Sequence, residues 1–406
     1  MPVFDLAGLR DAVRKDAAVR RIRRLEPAGG PGDKVFPPTY PDNGGPTHVF
    51  EERMFGGERK SCVLLDSVQS QANRMELALR ELLRGDEVWI PHVLTDFGGQ
   101  KDGGVDLSDI GAVTSLEAPH RVFDAIFRDS LLSGTPFWHS AEGRRLVAAK
   151  PDNATAIFEL SPTALVFGCW HSTGQGGGLG AKFPRAIVSE IVGVDAVYAK
   201  RAALRVDPLA IRSDVKVRGG PLDWKPALEG GHGSKRPSEV SHSNIIARVN
   251  QDGSKVSIWR QGVTIGHALH TVVISLPTLR RLRFPIDGEN SAERDETAHT
   301  LLAALALLAV TAQDRAGYNL RSRCDLVSDG AASFEILDAD GGVREFSLDL
   351  EAAGALYDEA VEAAKEAGLP WRDEPLRLAP QPKLVRIVAE SRRRALAGEA
   401  ADEGGE

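Results

Sequence analysis

Cysteine, methionine and tyrosine are scarce in this 406-residue chain, with three, three and four residues respectively. The cysteines (Cys62, Cys169 and Cys324) are far apart, with no CxxC pair and no histidine at zinc-finger spacing. They read as buried thiols in a reducing compartment, not as a disulfide framework or a zinc site. Cys169-Trp170-His171 is too short to chelate one metal comfortably, so no metal and no other cofactor is expected. Long apolar runs are also missing. The longest, Leu301–Val310, is too short to span a bilayer and reads as a buried helix. Met1–Pro27 carries seven Lys and Arg residues without the apolar segment of a secretory signal, so the expected location is cytoplasmic. No internal repeat is visible.

What is present is charge, unevenly spread. The net charge is −7, which argues against a polyanion binder only if it is uniform. Residues 196–284 hold 15 Lys and Arg against 6 Asp and Glu, whereas residues 285–406 hold 13 against 25 and residues 1–195 hold 22 against 26. Such segregation fits a basic face for a polyanion beside an acidic region for a basic partner, or two segments that neutralise each other.

Glycine is concentrated too. Between the apolar runs Ala164–Phe167, short enough for a buried strand, and Ala186-Ile187-Val188 lies a loop with five glycines in seven residues, Gly174 to Gly180. So many glycines cost backbone entropy on ordering, and they commonly serve a close approach to the main chain. The free amides can cradle an anion that Lys182 and Arg185 would neutralise. A P-loop is excluded, because Ala181 separates Gly180 from Lys182 and Phe183 follows. A dinucleotide fingerprint must open a helix, which Pro184 opposes. A ligand-free hairpin and a contact to a nucleic-acid backbone remain.

A second polar cluster opens a helix. Val63–Val68 leads into a helical pattern through Leu83, with Met75, Leu79 and Leu82 on one face and Gly85 past the end. Ser67, Gln69, Ser70, Gln71, Asn73 and Arg74 surround its first turns. A helix start offers unpaired amides and a positive dipole end, which favour phosphate. Plain N-capping by Asp66 or Ser67 with a solvated polar face is the alternative.

Along the rest of the chain, residues 5–24 open as a helix and pass into a strand at Arg20–Leu25. A short strand is expected at Val88–Pro91 and helices at Val122–Leu132 and Arg144–Ala149. A hairpin is expected over Ile245–Val249, Asp252-Gly253 and Val256–Trp259. A β-rich run follows at His270–Leu276, a long apolar helix at 292–312, a strand at Phe334–Leu337 and an amphipathic helix at 349–367. The alternation fits an α+β core with long insertions.

Two blocks together, Arg59–Arg74 and Trp170–Phe183, resemble the backbone subunit of type I-U (I-G) CRISPR Cascade complexes, a branch of the RAMP superfamily. The resemblance covers residues 20 to about 390 and implies an α+β, hand-shaped subunit: an RRM-like (ferredoxin-like) palm with finger and thumb insertions. On that basis residues 1–199 and 261–390 form the palm, 200–260 a basic finger or thumb, and 391–406 a disordered acidic tail. The implied role is non-catalytic. Copies would stack head to tail along the spacer of a CRISPR RNA, with other Cascade subunits and a complementary target nucleic acid, DNA by expectation, as further partners. The implied RNA contacts are Ser67, Gln69, Ser70, Gln71, Asn73 and Arg74 at the helix start. In the loop they are His171, Ser172, Thr173, Gly174, Gln175, Gly176, Gly177, Lys182 and Arg185. No RNP1-type aromatic motif is legible, so the palm rests on resemblance alone. The alternative is an RNA-processing or nucleotide-dependent enzyme using His171 and Lys182.

Overall fold

The structure, a computed structural model, describes residues 4–41, 47–171, 180–201, 204–205, 207–212, 214–220, 222–227, 235–242, 245–246 and 259–401. Its first two elements follow from pattern. Leu9, Ala12 and Val13 recur at helical spacing, Asp5 caps the start, and helix α1 (Leu6–Lys15) buries all three. The arginine-rich run that follows alternates instead. Strand β1 (Ala18–Pro27) therefore sends Val19, Arg21 and Leu25 to the core and leaves Arg20, Ile22 and Arg24 on the more open face.

Strand β1 belongs to a nine-stranded, wholly antiparallel sheet, curled as a half-barrel. The other strands are β2 (Phe50–Phe55), β3 (Glu58–Asp66), β4 (Ile187–Val194), β5 (His267–Ser275), β6 (Tyr318–Arg321), β7 (Cys324–Ser328), β8 (Phe334–Leu337) and β9 (Val343–Phe346). The order is β2-β3-β4-β5-β1-β7-β6. One edge of β1 is shared, because Leu25–Pro27 pair with β7 while Ala18–Arg21 pair with β8, which continues to β9.

Helices α2 (Val68–Arg84), α3 (Thr163–Phe167), α4 (Ala292–Ala316), α5 (Leu350–Glu366) and α6 (Pro382–Ala401) follow in the chain. Helix α4 packs against α1, α2 and α5. By length and composition it would suit a membrane, yet 94% of its apolar window is buried within the protein. A helix apolar on every side is a core helix here. A five-stranded sheet of short strands (Val93–Asp96, Ala112–Thr114, Ser130–Leu132, Thr135–Pro136, Leu376–Pro380) holds one parallel pair, Leu376–Leu378 on Val93–Thr95. The class is α+β, with ten α-helices among the described residues.

Contacts divide the chain into two units. One is Met1–Gly98, Ser108–Val197 and Thr264–Leu384; the other is Gly99–Leu107, Tyr198–Val263 and Val385–Glu406. The second contains short ladders such as Val217–Arg218 with Lys225–Pro226. In it Arg393 of α6 bonds Asp102 at 3.2 Å.

Several local expectations are corrected. Ala164–Phe167 is part of helix α3 and not a strand. Four consecutive apolar residues carry no period, and burial on all sides suits either element. Val122–Leu132 breaks into a 3₁₀ turn (Arg121–Phe123), a four-residue helix (Ala125–Arg128) and a strand (Ser130–Leu132), because Asp124 caps a new start by accepting from the Ile126 amide. Val88–Pro91 is not a strand; pairing begins at Val93. Ile245–Ile246 pairs with Leu204–Arg205, and the Asp252-Gly253 turn lies outside the described residues. Residues 391–401 continue α6, since Ala, Arg and Glu are good helix formers whatever their net charge.

Candidate nucleic-acid interface

Ser67 caps α2 by accepting from the Ser70 amide at 3.3 Å. Beside it Asp66, the last residue of β3 and fully buried, gathers the side chains of the first turns. It accepts from Ser70 Oγ (2.8 Å), Gln71 Nε2 (2.6 Å) and Arg74 Nε (2.9 Å), and from Arg321 Nη2 of β6 (3.1 Å). Arg74 also donates to the Asn319 and Leu320 carbonyls, and Arg321 to that of Leu65.

The network continues inward. Gln71 Oε1 accepts from Gln313 at 2.9 Å and is 3.3 Å from Ser189 Oγ, which is 2.8 Å from His270 Nε2. His270 Nδ1 is 3.2 Å from Tyr318 Oη, whose own proton goes to Asp314 at 2.5 Å. With the phenol proton on Asp314, Nδ1 donates to Tyr318 Oη, and Ser189 Oγ lies between His270 Nε2 and Gln71 Oε1 with one proton for the two. Arg21 closes the chain on Asp314 with two bonds, and Arg23 adds a third. Among the polar residues named from sequence at this helix start, Gln71 is fully buried and Ser70 and Arg74 are committed to Asp66. Gln69 and Asn73, one turn apart, are exposed, and Ser67 is half-buried.

The base of the glycine stretch is a different environment. Cys169–Trp170 pairs with Lys182–Phe183, and the His171 amide donates to the Ala181 carbonyl at 3.2 Å. A Cβ at position 180 would lie 1.7 Å from the His171 carbonyl oxygen, so only glycine lets this hairpin close. His171 is buried, stacked on Phe123 (centroids 5.0 Å apart) and met edge-on by Trp138 (4.6 Å). Its Nε2 has no hydrogen-bond partner among the described residues, and burial holds its pKa below the ordinary value.

Close by, Arg121 clasps Glu76 through two bonds of 2.6 and 2.7 Å and donates to the Gly168 carbonyl at 3.0 Å. Arg185 adjoins this pair. Its pKa is lowered by burial first and by Arg121 second, and only Glu76 opposes that. Two guanidiniums thus share one carboxylate. Arg185 itself makes no hydrogen bond or ion pair among the described residues, although it is half-buried. Gly168 (φ +80°) makes room for it, since a Cβ there would lie 2.9 Å from Arg185 Cγ. Lys182 is exposed, its ammonium 4.6 Å from the ring centroid of Trp170. Ser172, Thr173, Gly174, Gln175, Gly176 and Gly177 lie outside the described residues.

Residues 20–198 match the family described as CRISPR-associated protein GSU0053. The match, over less than half of the chain, is a similarity to CRISPR-associated proteins. It spans both the start of α2 and the base of the glycine stretch. No curated protein matches the chain.

Of the loop residues named from sequence, the structure places Lys182 opposite Trp170 on the short ladder, His171 buried beneath it and Arg185 beside Gly168. The sequence reading missed Arg121, Glu76 and the exposure of Trp170. Trp170 carried a weak signal, being an aromatic at the mouth of a glycine loop; the Glu76–Arg121 pair, 45 residues apart, carried none. No group of three or more metal-binding side chains occurs among the described residues.

The buried histidines imply a pH dependence. Burial lowers the pKa of His92, His171, His270 and His299, most strongly at His270. The unfolded chain then binds protons near pH 6.5 that the folded chain refuses, so their stabilisation is full above that pH and lost below it. Glu76 acts oppositely: burial pushes it up to about 7, so it favours the folded state as pH falls from 7 towards 4.5. Burial lowers His267 as well, so five imidazoles act in the direction opposite to Glu76. Melting temperatures recorded from pH 8 to pH 5 are expected to decline below about 6.5, and a flat profile would contradict the burial of these imidazoles.

Proposed function

We propose that this chain is a non-catalytic CRISPR RNA-binding subunit, copies of which line up along the guide as the backbone of a type I-U/I-G Cascade complex. The observation that carries this is Arg185, a half-buried cation without an anionic partner of its own among the described residues, at the base of a glycine stretch with Lys182 exposed beside it. A site with more guanidinium than carboxylate calls for an anion from outside, and a repeating phosphate backbone supplies one without sequence preference. In this reading the nine-stranded antiparallel sheet serves as the palm, the ladders within 198–263 form the thumb or finger, and His171 is a neutral packing residue under the loop.

Surface charge supports stacking of copies. Helix α5 exposes Glu351, Asp358, Glu359, Glu362 and Glu366, whereas Lys216, Arg218, Lys225 and Arg236 are exposed on the second unit. Charges of opposite sign on one chain suit head-to-tail association, which does not close and so extends along a polymer. A complementary target strand, DNA in this reading, and the other Cascade subunits complete the assembly.

The test is a salt titration. Replacing Lys182 and Arg185 together with alanine is expected to weaken single-stranded RNA binding equally for unrelated sequences. It should also flatten the plot of log affinity against log salt by about 0.7 per lost phosphate contact. An unchanged slope would remove both residues from the interface. RNA turnover abolished by His171→Ala would instead favour an RNA-processing enzyme.

A further inference from the structure

Among the tryptophans whose side chains are described, Trp170 alone is exposed, with 45% of its surface open. Its neighbours in the hairpin are anchored: Phe183, which pairs with Cys169, is buried in the hydrophobic core, and Cys169 packs against that core. Lys182, directly opposite Trp170 on the ladder, holds its ammonium over the indole. The ring is thus fixed from below by the hairpin and steadied by a cation, and it still leaves much of its surface to solvent. Arg185, without a hydrogen-bonded partner among the described residues, follows three residues after Lys182.

We propose that Trp170 is a stacking platform for one unpaired base, with Lys182 and Arg185 taking the adjoining phosphates. This rests on the RNA-binding reading and extends it, because it names what the site recognises: the face of a base in a single strand, whatever the base. Every base has a π-face, so the contact is sequence-tolerant, and in a duplex that face is already covered. The site is therefore selective for unpaired nucleotides, and the strand is held at this point by its base as well as by its charge.

The experiment uses the full chain and three fluorescently labelled probes: a mixed-sequence single-stranded RNA, the same strand with abasic positions, and its duplex. Wild-type protein is expected to bind the base-bearing strand about ten-fold more tightly than the abasic one. Trp170→Ala should lose that preference while its salt slope stays unchanged, and Trp170→Phe should keep most of it. Tryptophan emission should also be quenched on binding, and less so in Trp170→Phe. If Trp170→Ala does not fold, the difference in quenching between wild type and Trp170→Phe decides alone. Full retention of the base preference in Trp170→Ala, or identical quenching in Trp170→Phe, overturns the stacking role and leaves the RNA-binding reading intact. Failure of the wild type to bind any of the strands sinks both.

Discussion

Asp66→Ala is expected to cost on the order of 3–5 kcal/mol, the usual penalty for removing one member of a buried ion pair. That is a large share of the roughly 5–15 kcal/mol by which domains are stable. Asp66 is fully buried and accepts from four side chains, two of them the guanidiniums of Arg74 and Arg321. Its loss strands both cations and frees Gln71 from the end of a network that runs on to Arg21. Asp66→Asn keeps the shape but not the charge and should fall between the two. Arg74→Glu is the informative reversal. Read from sequence, an acid in the first turns of α2 suits the helix dipole and should leave stability near normal. With Asp66 only 2.9 Å from the Arg74 guanidinium, it instead sets carboxylate against carboxylate. Urea unfolding of Arg74→Glu should show a clear loss. A midpoint equal to wild type would mean that Asp66 does not hold β3 to α2.

Glu76→Ala is expected to be comparably damaging, again about 3–5 kcal/mol. Arg121, almost fully buried, would keep only its bond to the Gly168 carbonyl and would face Arg185 with no carboxylate between them. Glu76→Gln should cost markedly less. Burial already pushes this carboxyl up to about 7, so its neutral form is nearly as accessible as its charged one near neutrality. The same substitution leaves the site more positive, so RNA affinity in Glu76→Gln should rise and vary less between pH 8 and pH 6 than in wild type. Replacing the pair together, Glu76→Leu with Arg121→Met, should recover much of the lost stability, since neither charge then remains buried alone. If Glu76→Ala melts like wild type, Arg121 has found water, and the charge balance described for Arg185 does not hold.

These two expectations mark where sequence reading stops. Helices α1, α2, α4 and α5 were legible because periodicity and caps are local: Ser67 and Gly85 bound α2, and Met75, Leu79 and Leu82 define its buried face. The alternation of β1 was legible for the same reason, as was the gathering of Lys182 and Arg185 beside the glycine stretch, since neighbours in sequence stay neighbours in space. Strand partners were not. Nothing in Ile245–Ile246 says that it pairs with Leu204–Arg205, because a ladder is chosen by whichever edge the fold presents. Ala164–Phe167 could not be typed, since an apolar run of four lacks a period until its surroundings bury it. The polar residues at the start of α2 were identifiable as a group, and their orientation was not. Sequence by itself determined which side chains could meet an anion; tertiary structure decided which had already met one. Asp66 is brought to Arg321 by the pairing of distant strands, and Glu76 to Arg121 by packing across 45 residues. A buried charge takes the nearest counter-charge the fold supplies, and that neighbour is set by long-range packing rather than by local pattern.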